Sequence, residues 1–281
     1  MASMLDTVAL PGGERIPKLG QGTWEMGERP ATRAAEIAAL REGVELGMTL
    51  IDTAEMYGDG ATETFVGEAL AGARDALFIV SKVLPHHASR AGVVAACDAS
   101  LKRLRTDRVD LYLLHWRGAI PLAETIAGFE ALRDAGKIRH WGVSNFDVDD
   151  MEALAAEAGG GVCATNQILY NLARRGPEFD LLPWLAHREM PAMAYSPIDH
   201  MRLPKRTALD DIARGRGVSP MRVALAWVLR QPNVLAIPKA GSVEHVRDNR
   251  AALDLALDEE ELARLDAHFK PPRGKRPLEM L

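Results

Sequence analysis

The chain has 281 residues, with 34 Lys and Arg against 39 Asp and Glu and a formal net charge of −5. With 47% apolar residues this is an ordinary soluble composition, which argues against disorder and against a fibrous repeat. The basic residues are scattered, which speaks against nucleic acid as a partner, and no run reaches the roughly 18 apolar residues of a membrane span. Two cysteines, Cys97 and Cys163, cannot make a disulfide framework. Residues 1–10 have no basic start followed by an apolar core, so no signal peptide is read. A reducing cytoplasm is the expected compartment, and a monomer the expected state.

The elements follow in chain order. Val8, Leu10 and Ile16 flank Pro11-Gly12-Gly13, a hairpin signal over residues 7–16 that would plug one end of a barrel. Short apolar runs then mark strands at residues 18–23, 49–53, 77–81, 109–115, 138–143, 162–166, 192–195 and 234–238. Helical stripes fall between them: Ile37, Leu40 and Val44; Val94, Cys97, Leu101 and Leu104; Ile126, Phe129 and Leu132. Gly159-Gly160-Gly161 reads as a tight turn between helix and strand. Ser219-Pro220 starts a helix, and Asp258 with Glu261 forms a capping box before Leu262 and Leu265. Strand and helix alternate eight times, which predicts a (β/α)8 TIM barrel, a fold that typically takes roughly 250 residues. No Pro/Gly/Ser-rich seam divides the chain, so residues 1–281 are read as one domain.

Gly20-Gln21-Gly22 begins like a dinucleotide fingerprint, but the third glycine is missing, which argues against a Rossmann domain. Active sites of α/β barrels lie at the C-terminal ends of the strands. That rule selects Asp52 after the second barrel strand, Tyr57 in the loop beyond it, Lys82 at the end of the third and His115 at the end of the fourth. Taken singly, each has a plainer reading: a turn cap, a loop tyrosine, a lysine reaching for water, a core histidine. Together they make chemical sense. A buried lysine and aspartate on adjacent strands need each other. A tyrosine holds its proton at neutral pH, and a neighbouring ammonium would lower its pKa by stabilising the phenolate. His115 can donate to a substrate oxygen. The set suits protonation of an oxygen that gains charge, as when hydride reaches a carbonyl.

The same residues carry a resemblance. Gly47-Met48-Thr49-Leu50-Ile51-Asp52-Thr53-Ala54 with Tyr57-Gly58, then Ser81-Lys82, Leu114-His115-Trp116, Gly142-Val143-Ser144-Asn145-Phe146, Asn166-Gln167, Ala194-Tyr195-Ser196-Pro197 and Ile237-Pro238-Lys239 occur in order. Seven such motifs in sequence resemble the aldo-keto reductase superfamily, in its short-loop, bacterial form. The resemblance implies NADPH extended across the C-terminal face of the barrel, with NADH also possible. It implies Tyr57 as general acid, tuned by Lys82 and Asp52, with His115 orienting the carbonyl. Ser144, Asn145 and Gln167 would hold the nicotinamide carboxamide. Gly22, Thr23 and Asp52 would lie beside the cofactor. Tyr195, Ser196 and Pro197 would lie against the ring, with the choice of stacking residue between Tyr195 and Ser196 left open. Lys239, Ser242 and His245 would take the adenosine 2′-phosphate, and Asp248 and Asn249 the adenine edge. His245 stands where many relatives have arginine, which weakens the clamp on paper. Arg247 is two residues on and points elsewhere.

Trp24 and Trp116 are read as walls of the substrate pocket. His86 and His87 lack the further ligands a metal needs, so no metal is expected. The link at residues 117–120 is short, and the tail at residues 270–281 is basic and proline-rich. Both predict a shallow, open pocket for small dicarbonyls and aromatic aldehydes. The resulting expectation is NADPH-dependent reduction of small carbonyl compounds. Two other readings remain: a nicotinamide-sensing regulatory subunit, and a barrel lyase or isomerase using Lys82 as a Schiff base.

Overall fold

Apolar runs buried on two faces need a sheet with a core on each side, and the chain builds one. The computed structural model describes residues 6–199 and 207–281; the first five residues of the stretch read as lacking a signal peptide lie outside the described residues. Strands β3 (Gln21–Gly22), β4 (Leu50–Asp52), β5 (Phe78–Val83), β6 (Val109–Leu114), β7 (Ile138–Ser144), β8 (Asn166–Leu169), β9 (Ala192–Tyr195) and β10 (Val234–Ala236) form one parallel sheet in that order. Its two edges meet. The Gly20 N–H donates to the Ala236 carbonyl at 2.9 Å, and the Gly22 N–H to the Pro238 carbonyl at 3.1 Å. The sheet therefore closes into the expected barrel.

Closure explains the Gly20-x-Gly22 string. A Cβ on Gly22 would lie 2.7 Å from the Ile237 carbonyl oxygen, and one on Gly20 2.8 Å from that of Leu50. Neither approach tolerates a side chain. The glycines serve strand contact, where a fingerprint reading would have assigned them to phosphate.

Successive strand residues divide between two cores, as the two-residue period requires. Leu50, Val80, Leu111 and Leu113 face the barrel interior. Ile51, Ile79, Tyr112 and Leu114 face the helices. Those helices follow the strands: α1 (Pro30–Glu45), α2 (Ala61–Ala69), α3 (Arg90–Leu104), α4 (Leu122–Asp134), α5 (Val148–Ala156) and α6 (Leu181–His187). Helices α7 (Ala208–Arg216) and α8 (Pro220–Leu229) precede β10, and α9 (Val243–Ala251) and α10 (Glu259–His268) follow it. Ser219 caps α8 by accepting from the Arg222 N–H at 3.0 Å. Asp258 and Glu261 form the capping box of α10.

One strand lies further along than the sequence suggests. Residues 160–162 form a single 3₁₀ turn, and β8 is Asn166–Leu169 rather than 162–166. Gly159, at φ 85°, turns the chain first. Ladder bonds to β7 begin only at Ala164, whose N–H donates to the Trp141 carbonyl at 2.8 Å.

The hairpin is present as β1 (Thr7–Ala9) and β2 (Arg15–Pro17), antiparallel. Val8, Leu10 and Ile16 enter the interior core and plug the barrel. Glu14, beside the turn, fastens the plug to β7: its carboxylate meets Arg139 Nη2 at 2.7 Å and His140 Nε2 at 2.7 Å. Burial works against the Glu14 charge, but the bonds from His140 and Arg139 outweigh it and hold its pKa below the usual value. The tie is therefore complete above the unfolded pKa and is lost as pH falls through the lowered one. Glu14→Ala should cost about 1–2 kcal/mol at neutral pH, since the pair is partly exposed. The difference from wild type, read from thermal melts, should shrink in acid.

Candidate active site

Strand β4 ends at Asp52, and the chain turns through residues 53–56 into a 3₁₀ turn at Tyr57–Gly60. Gly58 in that turn has φ 55°, a left-handed conformation that suits glycine. The turn folds Tyr57 back over the end of β5, where Lys82 sits fully buried. Lys82 Nζ donates to Asp52 Oδ2 at 2.8 Å, to the Thr53 carbonyl at 2.8 Å and to the Tyr57 hydroxyl oxygen at 3.1 Å. All three ammonium protons are thus used. Because the phenol oxygen accepts from lysine, its own proton is left to point away, toward the pocket.

His115, at the end of β6, brings its ring to 6.0 Å from that of Tyr57, and Trp116 lies 4.9 Å from His115. His115 Nδ1 is buried without a partner among the described residues. Trp24 stands exposed at the rim.

Charge in this site follows from burial. Desolvation opposes the Lys82 charge, but Asp52 and Tyr57 together outweigh it, and its pKa is raised. Burial raises Asp52, with Lys82 and Gln167 pulling it back. Tyr57 corrects a sequence expectation: Lys82 does draw its pKa down, but burial is the larger influence and the net direction is upward. The phenol therefore keeps its proton firmly until a charged oxygen arrives. For His115, burial and the Lys82 charge push the pKa down to about 3, so the ring is neutral at physiological pH.

The residues expected at the carboxamide join the same network. Gln167 Nε2 donates to Asp52 Oδ1 at 2.7 Å and lies 2.8 Å from Met193 Sδ. Ser144 Oγ donates to the Gln167 carbonyl at 2.9 Å. Asn145, at φ 60°, donates through Nδ2 to the His115 carbonyl and to Ser144 Oγ, both at 3.1 Å. The Tyr195 hydroxyl donates to Asn145 Oδ1 at 3.0 Å, which sets its ring across this end of the barrel. Ser196 and Pro197 follow it, Ser196 at φ 47°. Thr23 spends its hydroxyl proton on the Asp52 carbonyl at 2.8 Å.

A second group gathers at the N-terminus of α9. A bridge between Gly22 and Lys239 joins it to β3. Ser242 caps α9 by accepting from the His245 N–H at 3.3 Å. Lys239 and His245 are exposed, and Asn249 is buried. Among the described residues no carboxylate pairs with Lys239. Arg247, read as pointing elsewhere, pairs with Glu42 at 2.8 Å. Asp248 is not the free adenine acceptor that the sequence suggested. Ser219 Oγ bonds to it, and Arg222 Nε meets it at 2.9 Å. Amide and hydroxyl groups at one end and a cation beside a helix N-terminus at the other fit the carboxamide and the phosphate of NADPH.

The tail also departs from expectation. It does not leave the face bare. Lys275 pairs with Asp149 at 3.0 Å, Arg174 with Glu279 at 2.6 Å, and the Leu281 N–H donates to the Tyr195 hydroxyl at 3.3 Å. The tail thus crosses the face and brings exposed Met280 and Leu281 to the rim. Ion pairs between distant residues hold it, and single-sequence patterns do not display those. His86 and His87 touch at 4.1 Å, and His87 pairs with Glu55. No group of three potential metal ligands occurs among the described residues, and no helix there is long and apolar enough to cross a membrane.

The family model for the aldo/keto reductase family matches residues 18–270. The chain belongs to the aldo/keto reductase family. This reductase is 50% identical over 279 residues to methylglyoxal reductase YeaE of Escherichia coli K12, covering 98% of each chain. It is 32% identical over 286 residues to glyoxal reductase of Bacillus subtilis, covering 99% of each. An aldo-keto reductase from Klebsiella pneumoniae, solved in complex with NADPH, superposes with a TM-score of 0.96 at 51% identity, over 99% of this chain and 100% of that one.

Burial of a neutral His115 carries its own expectation. Below about pH 6.5 the unfolded chain takes up a proton here that the folded chain refuses until about pH 3, so this position costs stability as pH falls. In an NMR titration the His115 ring signals should stay constant between pH 5 and pH 9. A midpoint near neutrality would show a ring open to solvent.

Proposed function

We propose that this reductase converts small dicarbonyls and aromatic aldehydes to alcohols with NADPH, with Tyr57 as proton donor. The observation that carries the reading is the Lys82 ammonium bonded at once to Asp52, Thr53 and Tyr57. NADPH, when bound, supplies hydride to the carbonyl carbon. The substrate oxygen then gains negative charge, and the Tyr57 phenol is aimed to protonate it. Lys82 stabilises the phenolate left behind, and Asp52 keeps the site's net charge low. The neutral His115 ring donates to the carbonyl oxygen and fixes which face is presented. Ser144, Asn145 and Gln167 hold the carboxamide, with Tyr195 against the ring. Lys239, Ser242 and His245 hold the 2′-phosphate, with Asn249 at the adenine.

The likeness to reductases named for methylglyoxal and glyoxal supports short dicarbonyls. Their electron-poor carbonyl carbon needs little help from remote contacts. The Schiff-base alternative draws no support from Lys82, whose pKa is raised, because such chemistry needs a neutral amine. A cytoplasmic monomer remains the simplest setting, consistent with two free, buried thiols.

Tyr57→Phe should lower turnover of methylglyoxal by about 10²–10⁴-fold while NADPH still binds. Near-native turnover at saturating substrate would remove Tyr57 from the donor role. Lys239→Ala should weaken NADPH far more than NADH, since a charge-assisted bond to phosphate contributes roughly 1.5–3 kcal/mol. Fluorescence titration with the two cofactors compares them, and equal losses would place the 2′-phosphate elsewhere.

A further inference from the structure

Tyr57 and Lys82 lie on different segments, and their 3.1 Å contact depends on how the turn after β4 is held to the end of β5. The β4–β5 ladder runs on past the last strand residue of β4. The Thr53 N–H donates to the Val80 carbonyl at 2.9 Å, and the Glu55 N–H to the Lys82 carbonyl at 3.4 Å. In a regular parallel ladder the next bond would run from the Leu84 N–H to the Glu55 main-chain carbonyl. Here the Leu84 N–H donates instead to Glu55 Oε1, at 2.7 Å. The carboxylate stands in for a carbonyl that has turned away, at the point where the chain leaves the sheet to deliver Tyr57. His87 Nδ1 meets the same oxygen at 3.0 Å. The Glu55 side chain is only 9% exposed, so little water competes for these bonds.

We propose that Glu55 is a positioning residue for Tyr57: its carboxylate clamps the Tyr57 turn to the strand that carries Lys82. The proposal rests on Tyr57 being the proton donor. Among the described residues the Glu55 side chain bonds to Leu84 and His87 and to neither the phenol nor the lysine side chain, so its effect runs through geometry. The required group is an acceptor at the reach of a glutamate, and a negative charge is secondary. Glutamine supplies the acceptor. Alanine and aspartate do not, aspartate because it is one methylene short.

The experiment compares kcat, KM and NADPH affinity for methylglyoxal reduction in wild type, Glu55→Ala, Glu55→Asp and Glu55→Gln, each also in a Tyr57→Phe background. Loss of the clamp should lower kcat on the order of 10- to 100-fold, the scale set by misplacing a reacting group by about 1 Å. NADPH affinity should change less than about twofold, because the carboxamide and phosphate groups are untouched. Glu55→Gln should restore most of kcat. In the Tyr57→Phe background, Glu55→Ala should cost nothing further. Equal loss in Glu55→Ala and Glu55→Gln would overturn the proposal, as would undiminished kcat in Glu55→Ala and Glu55→Asp. A full additional loss in the Tyr57→Phe background would overturn it too. Full activity of Tyr57→Phe alone would instead remove the donor assignment, which separates the two failures. If Glu55→Ala does not fold, the Asp and Gln variants decide the matter by themselves.

Discussion

A lysine ammonium with no water around it must find every one of its partners in the protein. Lys82 is in that position, and its three partners come from three places: a strand end, a main-chain carbonyl and a turn. An unpaired charge at such depth would cost several kcal/mol. The fold is therefore obliged to hold Asp52, Thr53 and Tyr57 in one arrangement, and the barrel does this by placing β4 and β5 side by side. The same requirement sets the chemistry. A phenol that accepts from an ammonium keeps its own proton free and can lose it to a more basic oxygen.

Asp52 extends the constraint beyond the proton donor. One carboxylate oxygen holds Lys82 and the other holds Gln167. The Gln167 amide nitrogen is thereby held at the same buried carboxylate as Lys82. A single buried carboxylate thus links the proposed proton donor's lysine to the residue proposed to position the nicotinamide. Lys239 and the N-terminus of α9 belong to a separate group, joined to this one through β3 and its bridge to Lys239. In the proposed function the phosphate end and the carboxamide end are therefore separate groups, and His245 has no bond to the tetrad among the described residues.

Much of this was legible in the sequence because barrel strands are buried on both faces and end where active sites lie. Asp52, Lys82 and His115 terminate such runs, and Tyr57 follows at turn distance. The hairpin plug was legible from Val8, Leu10 and Ile16 around a Pro-Gly-Gly turn. Other features left no local mark. Residues 162–164 are apolar, but the ladder with β7, a contact distant in sequence, fixes where β8 starts. Two further capping boxes, at Asp147 with Asp150 and Thr207 with Asp210, use aspartate at the third position, where glutamate or glutamine is the usual signal. The tail reads as loose because its ties, Lys275 to Asp149 and Arg174 to Glu279, join residues more than 100 positions apart. Glu55 sits inside the Asp52–Tyr57 motif yet gave no sign of its role, since only the ladder shows which carbonyl it replaces. The upward direction of the Tyr57 pKa also needed the structure, because burial and a neighbouring charge oppose each other and sequence shows only the charge.

The central claim is that the carbonyl carbon receives hydride from NADPH while the protein supplies only a proton. It is tested most directly by running the reduction of methylglyoxal with NADPH deuterated at the transferable position and examining the alcohol by mass spectrometry and NMR. The account predicts one deuterium on the former carbonyl carbon, one NADPH consumed per alcohol formed, and no adduct on Lys82 after borohydride treatment. Conversion of the dicarbonyl without loss of NADPH, or a borohydride-trapped adduct on Lys82, would contradict it.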